Sequence, residues 1–155
     1  MDLVKLKQMY EQSEQYKKDE QTHLMHKPID EWNSQLNSDK FENNLQNTLE
    51  NELSNNDRLS LIYKVSYDCY NNHYYDLDIS YIALYGNFTT RTPILYVKLD
   101  DYKYNTDNFN QLSESMYNKL KDKLEDFGFI IIKEDGEINT MYDNETEITI
   151  YLKIS

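Results

Sequence analysis

Apolar side chains recur at helical spacing through the first third of the chain. Leu3, Leu6 and Tyr16 form a thin apolar stripe, which predicts a helix over 2–24. A proline is favoured in the first turn of a helix, so Pro28 predicts that a second helix begins there. A helix with a stripe as thin as that at 2–24 is stable mainly when another surface packs on it.

Two further helices are predicted from their end signals and their apolar stripes. Ser38 is a typical N-cap residue, and the Asn and Asp residues at 55–57 predict the end of that helix. A longer helix is predicted over 107–127, because Gly128 follows it at the position where helices commonly end. In the helix that begins after Ser38, the apolar positions repeat every four residues, at Phe41, Leu45, Leu49 and Leu53.

From residue 60 the apolar positions alternate with polar ones, which is typical of β-strands. The pair Asp135 and Gly136 predicts a tight hairpin turn. In the last strand, Ile148 to Ile154 alternate with polar residues and are predicted to face inward. The predicted strands lie at 61–68, 77–85, 94–100, 129–132, 138–142 and 146–154.

These elements predict an α+β fold in two parts. An N-terminal helical segment, 1–58, precedes an α+β sheet domain, 60–155, with the element order β-β-β-α-β-β-β. We expect a mainly antiparallel sheet, covered on one face by one amphipathic helix. The strands at 94–100 and 146–154 are candidate open edges that a partner strand would complete.

The net charge narrows the class of partner. The 155 residues carry 16 basic and 28 acidic side chains, a formal charge of −12. An acidic surface repels nucleic acids and anionic membranes, and it attracts a partner with a basic surface. The lone Cys69, and the lack of an apolar leader or a run of about 18 apolar residues, predict a cytoplasmic protein.

The frequent Asn, Tyr, Lys and Ile residues have codons rich in A and T, whereas Ala occurs once and Gly three times. The composition therefore indicates an AT-rich genome, such as that of a phage, a virus, a mobile element or a low-GC bacterium. For a viral protein, the predicted location is the host cytoplasm or the virion.

Candidate catalytic groups are few and poorly arranged. His23 and His26 share a helix face with Glu20, but a zinc site needs a fourth donor that the sequence does not indicate. Cys69 and His73 are four residues apart across a predicted turn, with no third group to orient them. The paired carboxylates fall at strand ends, where acidic residues are common. We predict no catalytic residue, no metal ligand and no cofactor.

Tyrosine is the most informative residue type, with 15 in the chain. Tyrosine is enriched at protein interfaces, although these rings are also compatible with an ordinary core in which Tyr replaces Phe. The residues predicted to bind a partner are Trp32, Tyr63, Tyr67, Tyr70, Tyr74, Tyr75, Tyr81 and Tyr85.

The function predicted from the sequence is a non-enzymatic protein–protein interaction component, encoded by a phage, virus or mobile element. Within that class we expect a virion or assembly subunit held in a homo- or hetero-oligomer. One alternative is an acidic inhibitor that imitates nucleic acid and occupies a host nuclease or polymerase. The other is a small hydrolase that uses carboxylates and histidines.

Overall fold

The computed structural model of the chain describes residues 1–66, 80–88, 92–99, 106–138 and 145–154. It confirms the α+β class. The predicted strand at 138–142 lies outside the described residues except for Ile138, which is not in a strand. The elements are α1 (Leu3–Glu11), α2 (Glu14–Leu36), α3 (Asp39–Asn56), β1 (Leu59–Ser66), β2 (Tyr81–Gly86), β3 (Leu95–Lys98), α4 (Thr106–Asp126), β4 (Phe129–Asp135) and β5 (Glu145–Ile154).

Short polar side chains fix the helix ends. The Ser13 hydroxyl accepts a hydrogen bond from the backbone N–H of Tyr16, and Ser38 caps α3 in the same way. Asp57 ends α3 in the left-handed conformation, with φ of 59°. Gly128 follows α4 with φ of 102°, a conformation that costs glycine little. The predicted ends of α3 and α4 are therefore confirmed.

The prediction that a helix begins at Pro28 is wrong. The helical conformation is interrupted near Ser13 instead, and α2 runs continuously from Glu14 to Leu36 with Pro28 inside it. Proline has no N–H and removes one intrahelical hydrogen bond. Pro28 is buried, and Trp32 and Leu36 continue the packed face beyond it, so tertiary contacts offset that loss.

The sheet is antiparallel throughout, with the strand order β3-β2-β1-β5-β4. Tyr63 of β1 lies between Leu84 of β2 and Ile148 of β5, and such partners point to the same face. Helices α2, α3 and α4 all contribute to the core on this face, rather than the single helix predicted. Within the segment 1–58, α2 and α3 therefore share one core with the sheet, whereas α1 buries no residue.

Two residues predicted to face the core are exposed. Leu53 is 46 % exposed in the last turns of α3, where the neighbouring Glu52 is buried in its place. Ile154 is 67 % exposed, because it pairs with Phe129 at a corner of the sheet. Ile148, Ile150 and Leu152 are buried, as the alternation predicts.

Candidate functional site

The face of the sheet opposite α2, α3 and α4 is called the open face. It is defined by strand alternation and register, and none of the described helices packs on it. Its side chains from the five strands are Ser60, Ile62, Lys64, Ser66, Tyr81, Ala83, Tyr85, Tyr96, Lys98, Ile130, Lys133, Asp135, Glu145, Glu147, Thr149, Tyr151 and Lys153.

Three phenol rings form a cluster at one side of the open face. The tyrosine cluster comprises Tyr81, Tyr85 and Tyr96. The ring centroids of Tyr81 and Tyr96 are 5.4 Å apart, and Tyr81 and Tyr85 lie on the same face of β2. Ala83 lies between Tyr81 and Tyr85 and opposite Tyr96, so its small side chain leaves room for the rings. All three rings are partly buried.

The hydroxyls of this cluster stay protonated at physiological pH. Partial burial is the main cause that raises the pKa of Tyr81, Tyr85 and Tyr96 above the ordinary tyrosine value. A neutral phenol presents an apolar ring together with a hydroxyl that both donates and accepts hydrogen bonds. The cluster is therefore suited to non-covalent contact with another molecule.

Lys64 joins the tyrosine cluster to the acidic end of β5. Its ammonium forms an ion pair with Glu145, lies 3.9 Å from the carboxylate of Glu147, and stands 5.9 Å from the ring centroid of Tyr85. Its side chain is 24 % exposed. Because its charge is balanced by two carboxylates, Lys64 holds the middle of the open face together electrostatically.

A second group of charges surrounds Tyr151. The guanidinium of Arg58 lies 4.8 Å from the Tyr151 ring centroid, and the ammonium of Lys133 lies 5.7 Å from it. Lys153 follows Tyr151 by two residues on β5 and is exposed on the same face. We call Arg58, Lys133 and Lys153 the basic patch.

Two of the predicted partner-binding residues are in the core, and their prediction is wrong. Trp32 and Tyr63 are both 0 % exposed, with their rings edge-on to each other at 6.1 Å. The Trp32 indole N–H donates to the carbonyl of Met116, and the Tyr63 hydroxyl donates to that of Ser113. Trp32 links α2 to α4, and Tyr63 links β1 to α4. Because both side chains are fully buried, neither contacts a partner in the folded protein.

The other predicted tyrosines divide into two groups. Tyr81 and Tyr85 both lie on the open face, on either side of Ala83. Tyr67, Tyr70, Tyr74 and Tyr75 lie outside the described residues, as do Cys69 and His73.

The sequence interpretation missed Tyr96 and Tyr151. Each alternates with residues that face the core, Leu95 and Val97 beside Tyr96, and Ile150 and Leu152 beside Tyr151. That alternation places both on the outer face of their strands, and only the strand order shows that they share it with Tyr81 and Tyr85.

Neither strand predicted as an open edge is free to pair with a partner strand. The strand at 146–154 belongs to β5, which lies between β1 and β4. The strand at 94–100 contains β3, which is an edge of the described sheet. The side-chain amide of Gln35 forms two hydrogen bonds with the β3 backbone. Gln35 donates to the Tyr96 carbonyl at 2.8 Å and accepts from the Tyr96 N–H at 3.3 Å. The β4 strand forms the other edge of the described sheet.

The two candidate metal-binding histidines of α2 and a polar depression on α4 lie apart from the open face. His23 and His26 are exposed on α2. No group of three or more His, Cys, Asp or Glu side chains that could hold a metal ion occurs within the described ranges. A polar depression on the outer side of α4 is lined by Gln111, Glu114, Ser115, Asn118, Lys119 and Asp122.

These features define an α+β protein. In its described residues, three packed helices cover one side of a five-stranded antiparallel sheet, and no helix covers the aromatic, charged face on the other side. Comparison with protein-family models, with curated proteins and with solved structures finds no match for this chain. No helix in the described part of the chain has the length and apolar character needed to span a bilayer.

Proposed function

We propose that this protein is a non-enzymatic component of a protein–protein complex and binds a partner protein through the open face of its sheet. The observation that supports the proposal is the tyrosine cluster, Tyr81, Tyr85 and Tyr96, on a face that no described helix covers.

The physical properties of tyrosine favour this role. A tyrosine ring supplies a large contact area but has only two side-chain torsions to restrict on binding. The rings of Tyr81 and Tyr96 already pack on each other, so part of that restriction exists before a partner arrives. Their neutral hydroxyls supply hydrogen bonds at the edges of an apolar contact.

The proposed partner is a different protein rather than a second copy of the chain. Each copy carries a formal charge of −12, so two copies repel each other at low ionic strength. The AT-rich composition supports the narrower proposal that the complex belongs to a phage, a virus or a mobile element, as a virion or assembly part. Imitation of nucleic acid and hydrolysis remain alternative predictions from the sequence.

The test combines affinity purification from the source organism with binding measurements on the purified partner. A triple variant, Tyr81→Ser, Tyr85→Ser and Tyr96→Ser, is compared with a double variant on the N-terminal helices, Tyr10→Ser and Tyr16→Ser. We expect the triple variant to raise the Kd by about thirtyfold or more, as loss of an interface hot spot does. The double variant should bind like the original chain.

Circular dichroism and thermal unfolding would verify that both variants remain folded. Equal binding by the triple variant and the original chain would reject the open face as the binding surface. Loss of binding in the double variant alone would transfer the interface to the N-terminal helices. A homodimer seen by light scattering, with no other protein bound, would also reject the proposal.

A further inference from the structure

The basic patch is a local reversal of the charge of the protein. The open face carries five cations, counting Arg58 over the Tyr151 ring, against three carboxylates among its described residues. Three of the five cations lie on or beside Tyr151, and among the described ion pairs one of them, Lys133, contacts a carboxylate, that of Asp135 at 3.4 Å. That ion pair is exposed, so it neutralises Lys133 only weakly.

The dimensions of the patch follow from the sheet register. Arg58 immediately precedes β1, Lys153 lies in the neighbouring strand β5, and Lys133 lies in β4 beyond it. Neighbouring strands are about 4.8 Å apart, so the patch spans about 10 Å across the strands. Alternate residues of an extended peptide are about 7 Å apart, so a short strand-like segment presents two or three side chains to such an area.

We infer that the basic patch binds a short acidic segment of the partner protein, whose carboxylates lie against Arg58, Lys133 and Lys153 while neighbouring side chains contact the tyrosine cluster. This inference rests on the proposed function and specifies the chemistry of the partner. Arginine binds a carboxylate through two parallel hydrogen bonds, so Arg58 gives the contact a defined geometry. The Tyr151 ring supplies apolar area between the charges.

The overall charge of −12 does not prevent this contact. At physiological ionic strength the Debye length is about 8 Å, so a carboxylate on the patch interacts mainly with the cations next to it. A nucleic acid strand is disfavoured, because Asp135 beside the patch and Glu145 and Glu147 elsewhere on the open face repel its closely spaced phosphates. An acidic segment of a few residues remains within the patch.

The inference also separates two surfaces by charge. The sequence predicts a partner with a basic surface, which suits the acidic protein as a whole. The open face has the opposite local character, so a segment bound there is acidic even where the rest of the partner is basic.

The experiment titrates the full-length ¹⁵N-labelled chain with a blocked hexaglutamate peptide and follows the backbone amide signals at low and physiological salt. A hexaglutamine peptide measures contacts that need no charge, and a six-nucleotide oligothymidylate measures phosphate binding. We expect hexaglutamate to shift the amides of β4 and β5 around Lys133, Tyr151 and Lys153. The shifts should weaken as salt rises.

Two triple variants separate the local patch from the net charge. The patch variant is Arg58→Gln, Lys133→Gln and Lys153→Gln. The matched variant is Lys17→Gln, Lys18→Gln and Lys27→Gln, which removes three exposed cations from α2 and gives the same net charge. We expect about tenfold weaker hexaglutamate binding in the patch variant, as for three exposed ion pairs, and no change in the matched variant.

Three results would overturn the inference: no amide shifts around Tyr151, equal losses in both triple variants, or tighter binding of the oligothymidylate than of hexaglutamate. The purified natural partner then distinguishes the two proposals. A partner that needs the tyrosine cluster but binds the patch variant normally rejects the acidic segment and retains the open face. A partner that needs neither rejects both.

Discussion

Tyr63 and Tyr85 lie on neighbouring strands, yet their hydroxyl groups meet different surroundings. The Tyr63 hydroxyl donates to a buried backbone carbonyl, and burial raises its pKa well above the ordinary value. The Tyr85 side chain is instead partly exposed on the open face, near the ammonium of Lys64. A buried hydroxyl without a partner is costly, so tyrosine suits position 63 because the backbone carbonyl of Ser113 accepts its hydrogen bond.

A third tyrosine gives the protein a pH-dependent contact between α4 and β4. The Tyr117 hydroxyl donates to the Glu134 carboxylate, and this hydrogen bond is the main cause that lowers the pKa of Glu134. The Lys121 ammonium, 3.2 Å from the carboxylate, lowers it further. A carboxyl with a lowered pKa stabilises the folded state above the pKa of the unfolded chain, and this stabilisation is lost as the pH falls through the folded value.

Glu134→Gln should therefore destabilise the protein at pH 7 and have no effect at a pH below the folded pKa of Glu134. We expect a loss of about 0.5–1 kcal/mol at pH 7, since the side chain is 38 % exposed and solvent screens the ion pair. Urea unfolding at pH 7 and at a series of decreasing pH values measures the difference. Glu114→Gln, on the exposed side of α4, is the control, and a loss that persists at low pH would contradict this account.

The edge strand β3 is protected by a single side chain. An unpaired edge invites association with other chains, and proteins block it with charges, bulges or covering segments. Here the amide of Gln35 acts as a one-residue substitute for a neighbouring strand, because it both donates to and accepts from the Tyr96 backbone. The same two bonds fix α2 against the sheet.

Gln35→Ala should weaken the protein and expose this edge. Loss of two partly buried hydrogen bonds is expected to reduce the free energy of unfolding by about 1–2 kcal/mol. The freed edge should also promote concentration-dependent association. Urea unfolding and light scattering measure the two effects, with Gln46→Ala on the exposed side of α3 as the control. A variant as stable and as monomeric as the control would show that Gln35 does not protect the edge.

Local sequence signals predicted the helices and strands better than they predicted which elements pack on one another. The Ser38 cap, Gly128 after α4 and the alternation in β1 depend on residues close in sequence, and all are confirmed. Pro28 was misinterpreted because the contacts that keep it in a helix come from distant residues. The open face was only half predicted, because Tyr96 and Tyr151 join it through a strand order that alternation does not reveal.

At the scale of the molecule, the N-terminal end of the helical layer stands apart from the core. Helix α1 has no buried residue, and Leu3, Val4 and Met9 are each at least 60 % exposed. Tyr10 packs edge-on against Tyr16 and donates a hydrogen bond to Asp19. Contacts this exposed contribute little to stability.

Removal of residues 1–11 should therefore leave the sheet and its core intact. We expect the free energy of unfolding to change by less than about 1 kcal/mol and the Tm by less than about 3 °C. Thermal unfolding by circular dichroism measures this. Leu112→Ala, which opens a cavity at a side chain that is 0 % exposed, should cost about 2–5 kcal/mol in the same assay. A comparable loss in the truncated chain would mean that α1 stabilises the core.

The strand order has a consequence for biosynthesis. Strand β1 is central, and one of its two neighbours, β5, begins only at Glu145. At typical elongation rates of 5–20 residues per second, the ribosome needs roughly 4–16 s to make the chain between β1 and β5. During that interval one backbone edge of β1 has no neighbouring strand. The core-facing side chains of β1 are Leu61, Tyr63 and Val65. Hsp70-type chaperones, which protect such segments, are therefore expected to determine its yield in a foreign host.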